Sequence, residues 1–284
     1  MDPGLLYTYK AAAEQGAPNP FFGAYPVEKF PGLLRNYPYV PATYQLRPYP
    51  QYLDLIQRNT PGIEDRYHAF SVSLRKQFSQ GYQFMWNYGY VRQKTGAFFN
   101  DIDEYADRFT MMESKEPRHR TSLAATVDLP FGKGRKFGSA VPKAVDLLAG
   151  GWSVSPIWKY SSGEYLRFGP ALVNGSDPSI ENPGRERYFD TSMFQLLPAY
   201  TPRTNPWQYD GVKGSANWNI DLSVAKYFPM SEALRLELRM EAYNLTNSFI
   251  PGLPVMDVGN PQFGRSVTQA NLGRQLQYTL RLHF

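Results

Sequence analysis

From residue 67 onwards the chain alternates apolar and polar positions with a period of two, the signature of strands that present chemically different faces. Phe70, Val72, Leu74 and Phe78 alternate with Ser71, Ser73, Arg75 and Gln77. After the turn Ser79-Gln80-Gly81, Tyr82, Phe84, Trp86, Tyr88 and Tyr90 form one strongly aromatic face, which predicts a hairpin. The same alternation runs over 122–129, 152–168 and 219–228. It is cleanest where Leu234, Leu236, Leu238, Met240 and Ala242 alternate with Arg235, Glu237, Arg239, Glu241 and Tyr243. In the last segment Leu276, Tyr278, Leu280, Leu282 and Phe284 alternate with Gln277, Thr279, Arg281 and His283. Adding a weaker strand at 51–57 makes about eight, each close to the ~9–11 residues that span a bilayer when tilted. A short helix is expected within 140–148.

The connections carry a second pattern. Ser79–Gly81 and Pro229–Ala233 are tight, whereas 93–118, 169–216 and 248–272 are long. The two kinds alternate if 131–150 is counted with the short side. Short turns at one end and long loops at the other describe a transmembrane antiparallel β-barrel, an all-β fold with periplasmic turns and extracellular loops. Alternation alone favours a water-soluble sandwich or barrel, so a soluble all-β carbohydrate-binding module is the competing reading. Against it stand the charges Arg235, Glu237, Arg239 and Glu241 on one strand face, which suit a hydrated lumen. Aromatics also gather near strand ends, at Tyr88, Tyr90, Trp152, Trp158, Tyr160, Trp218, Tyr227 and Phe228, as girdles at headgroup level do. The two readings differ on whether the Leu234–Leu238 and Leu276–Leu280 faces point outward.

Residues 1–64 are rich in Pro and aromatics and read as an irregular barrel segment and loop, leaving 65–284 for the strands. The 284 residues contain no cysteine, which removes thiolate metal, redox and nucleophile chemistry. The net charge of +5 is scattered and forms no basic arm, so nucleic acid is not an expected partner. No secretory signal is visible, and no apolar run is long enough for a transmembrane helix.

Candidate chemistry is sparse. His68, His119 and His283 lie on separate strands without ligand spacing. Residues 100–107 hold several carboxylates but lack the Gly and terminal Glu of an EF-hand loop, and read as a solvated loop. Gly132-Lys133-Gly134 lacks the ending of a phosphate loop and reads as a turn; no Gly-x-Ser-x-Gly elbow occurs. The expectation is therefore no enzyme, no metal and no cofactor. The binding candidate is the 169–216 loop, with Tyr200, Trp207, Tyr209 and several Arg suited to an oligosaccharide or peptide, whereas the lumen-facing charges Arg235, Glu237, Arg239 and Glu241 read first as a structural charge ladder inside the wall and second as the lining of a substrate route.

The ending from Gly273 through Leu276, Tyr278, Leu280 and Leu282 to Phe284 resembles the β-signal of bacterial outer-membrane proteins, which implies insertion by the barrel assembly machinery. Further stretches resemble the Oar-like TonB-dependent outer-membrane receptors of Gram-negative bacteria. They are Leu46 to Gln51, Tyr67 to Val72, Pro117 to Arg120 leading to Asp128 to Gly134, Gly150-Gly151-Trp152, and Glu241 to Asn247, in an order that covers most of 18–284. The resemblance implies a large barrel of about 22 strands filled by a plug. It also implies coupling to the TonB complex through that plug, and uptake of a substrate across the cell outer membrane. On that comparison the chain corresponds to the C-terminal third of such a barrel, and is expected to be a fragment or a product with a truncated start.

Overall fold

The computed structural model describes residues 7–26, 28–29, 33–45, 49, 62–97, 101–102, 110–231 and 234–284. The strand expected at 51–57, the stretch Leu46 to Gln51 except Tyr49, and most of 100–107 lie outside them.

One antiparallel sheet organises the chain. Its strands are β3 (Ile63–Ser79), β4 (Tyr82–Ala97), β5 (Thr110–Glu113), β6 (His119–Asp128), β7 (Trp152–Ser161), β10 (Asn217–Pro229), β11 (Arg235–Tyr243) and β12 (Gln275–His283). They are ordered β12-β11-β10-β7-β6-β4-β3, with the short β5 added to the end of β4. Each long strand thus pairs with its neighbours in sequence, as a meander requires. Among the described residues β3 and β12 have no partner on their outer sides, so the sheet is open there.

The other elements are small. Before the sheet come α1 (Ala11–Glu14), β1 (Gly16–Pro18), β2 (Tyr39–Pro41) and α2 (Ala42–Gln45). β1 pairs with β2 while Leu34, Val40 and Phe21 make a minor cluster. The sequence-expected helix is α3 (Lys143–Ala149), and β8 (Ala171–Val173) pairs with β9 (Phe194–Leu196) within the long loops.

The tight end of the sheet follows from turn chemistry. Gln80 and Gly81 both have positive φ, 55° and 85°, the mirror-image turn whose twist matches a two-residue hairpin. Lys76 sits 3.6 Å over the Tyr82 ring and donates to the Ser79 and Tyr82 carbonyls at 2.9 and 3.1 Å, closing the same corner.

At the other end the strand expected over 152–168 stops at Ser161. Close approach is the reason. A Cβ on Gly163 would lie 1.9 Å from the Gly214 carbonyl oxygen, and Gly214 N donates to Glu164 O at 2.9 Å, so the chain is drawn into the loop layer. Leu166 and Phe168 then enter a core with Ala171, Tyr188, Phe189, Phe194, Tyr209 and Val212, against which Met256, Val258 and Phe263 pack. The Phe168 ring stacks on Phe194 at 5.0 Å and meets Phe189 edge-on at 4.9 Å. This cap, built from 162–216 and 244–274, is the main buried hydrophobic core among the described residues. Asn205 is its polar keystone: fully buried, it accepts from Ala171 N at 2.8 Å and donates to Gly169 O at 2.9 Å and Pro206 O at 3.0 Å.

Substituting Gly163 by Ala should lower stability by about 1–3 kcal/mol, because backbone must shift to admit the methyl. Gly169→Ala, where nothing lies within 4 Å of the added carbon, should stay within about 0.5 kcal/mol. Denaturant midpoints of the two variants in detergent or lipid check the contrast.

Candidate functional site: the two faces of the sheet and the loop cap

Register settles which side chains share a face. Leu236, Leu238, Met240 and Ala242 of β11 lie opposite Phe228, Lys226, Val224 and Leu222 of β10 and opposite Leu282, Leu280, Tyr278 and Leu276 of β12. The same face continues through Trp152, Val154, Pro156, Trp158 and Tyr160 of β7 to Leu123, Ala125 and Val127 of β6. It then crosses β4 at Tyr82, Phe84, Trp86, Tyr88 and Tyr90 and ends on Leu74, Val72 and Phe70 of β3. Among the described residues no second layer covers it at the β12 edge, where Leu280 is 68% and Leu238 44% exposed. From Trp152 to Tyr160 the strand climbs eight steps, about 27 Å at ~3.4 Å each. Tilted by ~40°, that is roughly 20 Å of height, close to the apolar band of an outer-membrane barrel.

Several polar groups on this face find partners within the wall, as hydrocarbon demands. The Trp86 indole donates to Thr121 Oγ1 at 2.9 Å, and that hydroxyl donates to the Asn87 carbonyl at 3.0 Å. Tyr88 Oη pairs with His119 Nδ1 at 2.9 Å while Tyr90 and His119 rings meet at 5.2 Å.

The opposite face is mainly polar, with Met85, Ala124 and Ile157 as an apolar row across its middle. Ser71, Ser73, Asn87, Gly89, Arg120, Ser122, Lys159, Ser161, Asn217 and Asn219 line a hollow of about 690 Å³ in its upper half. Cross-strand hydrogen bonds mark it, Ser73 Oγ to Asn87 Oδ1 at 2.8 Å and Ser155 Oγ to Thr126 Oγ1 at 3.1 Å. Lower down stand the four charges expected from the sequence. Glu237 is 2% exposed and forms the hub: Arg239 Nε lies 2.6 Å from its Oε1, and His283 Nε2 lies 2.7 Å from its Oε2. Arg239 also reaches Glu241 at 4.0 Å, and Arg235 lies over the Tyr227 ring at 5.3 Å. Tyr227, expected in a headgroup girdle, therefore sits on the polar side: it is opposite Glu237 in register.

Of the expected β-signal, Leu276, Tyr278, Leu280 and Leu282 share the apolar face and Phe284 is exposed. Gly273 precedes the strand, which begins at Gln275.

The three loop aromatics separate. Tyr209 is a core residue of the cap, where burial and the charge of Asp177 push its phenol up to about 12. Its ring is not available to a ligand. Trp207 is half-buried with the Arg203 guanidinium 3.9 Å over it, and Tyr200 donates to Glu14. The sequence could not separate these three, since all are aromatics in one polar loop.

An ionic cluster that sequence reading missed ties β5 to the cap. Glu113 lies against Arg118, Arg92 and Lys94 at 2.9, 3.2 and 3.3 Å. Its backbone is held by Arg167 at 2.6 Å and by Gln208 at 2.9 and 3.2 Å. Glu113 stands three residues before Glu116 in a spacing that marks neither, and Arg118 falls within the Pro117 to Arg120 stretch, so the sequence carries no sign of the cluster. Burial by itself would raise the Glu113 carboxyl, but hydrogen bonds and charge from Arg118 and Lys94 overcome it and hold the group below the ordinary carboxylate value.

Among the described residues no group of three or more His, Cys, Asp or Glu is placed to hold a metal, and no helix is long and apolar enough to cross a membrane. The model of the outer membrane beta barrel domain family matches residues 12–277, nearly the entire chain. The chain belongs to that family. A search of curated proteins finds no match.

This outer-membrane β-barrel protein thus lies in the outer membrane with its apolar face towards lipid and its polar face towards the lumen. The soluble-module reading is not favoured, because the leucine faces that would have formed its core point outward. The short-turn end is periplasmic and the cap extracellular, by the arrangement general to such barrels.

Two outcomes follow. Leu222→Arg, level with Pro156 and so half-way between Trp152 and Tyr160 on the lipid face, should cost about 2–4 kcal/mol in lipid, whereas Ser155→Arg on the lumen face should cost far less; reversible unfolding in lipid vesicles reads both. For Glu113 a lowered folded pKa means that its stabilisation is present above the unfolded carboxylate value and is lost as pH falls through the lowered one. Protease nicking near 110–118 should therefore rise only in strongly acidic buffer, and Glu113→Gln should be nicked at neutral pH too.

Proposed function

We propose that this chain forms part of the barrel wall of a TonB-dependent transporter that takes up a substrate too large for porins. The observation that carries the reading is the openness of the sheet. An eight-stranded barrel closes on itself and fills its interior with side chains, whereas among the described residues β3 and β12 are not paired and the polar face borders a hollow of about 690 Å³. A larger barrel needs such a wall, with room for a plug. The Oar-like stretches support the same reading, because several of them take up specific structural tasks. In Glu241 to Asn247, Asn244 at φ 52° donates to Ser248 O and Leu272 O at 3.1 and 2.9 Å, and Asn247 accepts from Arg274 N at 3.1 Å, so that both ends of one long loop are pinned.

In this mechanism the cap captures an oligosaccharide or peptide, with partly exposed Trp207 and Tyr200 at its surface. A plug inside the barrel, moved through TonB, then opens the lumen. Glu237, Arg239 and Glu241 form a charged wall that holds its shape while the plug moves. The chain itself performs no catalytic step and binds no nucleic acid, and the barrel assembly machinery recognises the Leu276 to Phe284 strand.

The test is uptake in the native bacterium. Deleting the gene should abolish accumulation of one labelled oligosaccharide or peptide from a panel, and inactivating TonB should abolish it equally. The gene product should also run in the outer-membrane fraction as a heat-modifiable band much larger than 32.4 kDa. Uptake that survives loss of TonB, or a heat-modifiable band at 32.4 kDa, would overturn the transporter reading while leaving the barrel intact.

A further inference from the structure

The connection between β6 and β7 is more elaborate than a turn has to be. After β6 the chain passes Phe131 and Gly132, forms α3 (Lys143–Ala149), and returns through Gly150 and Gly151 to Trp152. Two contacts leave no room for a side chain. A Cβ on Gly132, at φ 110°, would lie 2.5 Å from Asp146 Oδ1 and 2.6 Å from Gly150 Cα, and one on Gly151, at φ 72°, would lie 2.6 Å from the Tyr227 carbonyl oxygen. Asp146 accepts from Lys133 N at 2.6 Å, which fastens the start of the connection to the helix.

The helix is held on the lipid-facing side of the wall. Trp152 and Lys226 are opposite one another in register on the apolar face. The Trp152 indole donates to Leu148 O at 2.9 Å, and the Lys226 ammonium donates to Leu148 O at 3.5 Å and to Gly150 O. Lys226 is 3% exposed and lies 5.3 and 5.2 Å from the Trp152 and Phe228 rings. A lysine on a lipid face is tolerable there because the last carbonyls of a helix surround it.

What this strap presents outward is apolar and cationic at once. Val145, Leu147 and Leu148 are exposed, Leu148 at 76%, and the exposed rings of Phe131 and Phe137 pack together at 5.8 Å. Lys133, Arg135, Lys136 and Lys143 are all exposed beside them. Of the two nearby acids, Asp146 is engaged by backbone and Asp128 lies 3.9 Å from Arg135.

We infer that residues 131–149 form an interfacial hook in the periplasmic leaflet, with Leu148, Leu147 and Val145 at the acyl boundary and the four cations on anionic phospholipid headgroups. Two observations choose lipid as the occupant. The apolar surface is continuous with the lipid belt through Trp152 and Lys226, and the charge complements an anionic headgroup layer. The inference rests on the orientation of the barrel and is independent of what the barrel transports.

The chain has no cysteine, so one thiol can be placed at will. The protein is purified from outer membranes, bearing Leu148→Cys labelled with an environment-sensitive fluorophore, and reconstituted into phosphatidylcholine vesicles with or without phosphatidylglycerol. Leu222→Cys, level with Pro156 in the middle of the lipid face, serves as the deep reference and exposed Ser176→Cys in the cap as the aqueous one. Heat-modifiability confirms folding of each variant. The expected result is strong quenching at 148 by lipids nitroxide-labelled near the glycerol, weaker quenching by deep-chain nitroxides, and protection from aqueous iodide. Adding phosphatidylglycerol should shift the emission further to the blue, and the combined substitution K133E, R135E, K136E, K143E should abolish that lipid-charge dependence. Quenching by iodide alone, as at 176, would overturn the hook. Protection from both iodide and nitroxides would show a protein covering and overturn it as well. An emission indifferent to phosphatidylglycerol would overturn the headgroup assignment.

Discussion

In hydrocarbon a backbone N–H or C=O has no water to turn to, and each one left unpaired costs several kcal/mol. The antiparallel ladder from β3 to β12 answers that constraint for its interior strands, and the rest of the molecule is arranged around it. Period-two alternation follows: with pairing on both sides, a strand can differ only between its faces, one turned to lipid and one to the lumen. The same constraint reaches individual side chains. Trp86, Thr121 and Asn87 make a closed relay on the lipid face, and Lys226 finds its acceptors in the end of α3.

The two ends of the sheet solve different problems because they meet different solvents. In the water beyond the long-loop end the hydrophobic effect operates normally, and there residues 162–216 and 244–274 collapse around Phe168, Phe189 and Phe194 into a core of the ordinary kind. Within the belt no such core is needed, since lipid already accepts apolar surface. At the tight end the connections must either be minimal, as at Gln80-Gly81, or carry surface that suits the headgroup zone, as α3 does.

On the lumen side, stiffness matters more than burial. Glu237 is shared by Arg239 and His283, so the carboxylate that register places inside the wall is fully partnered, as a buried charge has to be. Further up, the hollow is lined mainly by hydroxyls, amides and two cations, with Val72, Tyr88 and Tyr160 at its margins, a surface that hydrates readily. Family membership and this polarity agree on a barrel wall in the outer membrane.

Strand positions and the two-faced chemistry of each were legible in the sequence, because a period of two is a local property; the choice of membrane over solution was legible only in the charged face at 235–241, the aromatics near strand ends and the terminal strand. The seven long strands were each recognised, and α3 with them. Their ends were less legible: the strand from Trp152 stops at Ser161 because Gly163 must approach Gly214, a contact between residues far apart in the chain. The same holds for the partition of aromatics. Tyr227 turned out lumenal by register and Tyr209 internal by packing, though neither differs in composition from its neighbours. Glu113 and Lys226, which no local pattern singles out, acquired their roles from the cations and carbonyls that other elements bring to them. Local alternation determined what each strand is; long-range pairing and close approach, which no local pattern encodes, decided where each strand ends and which side chains meet.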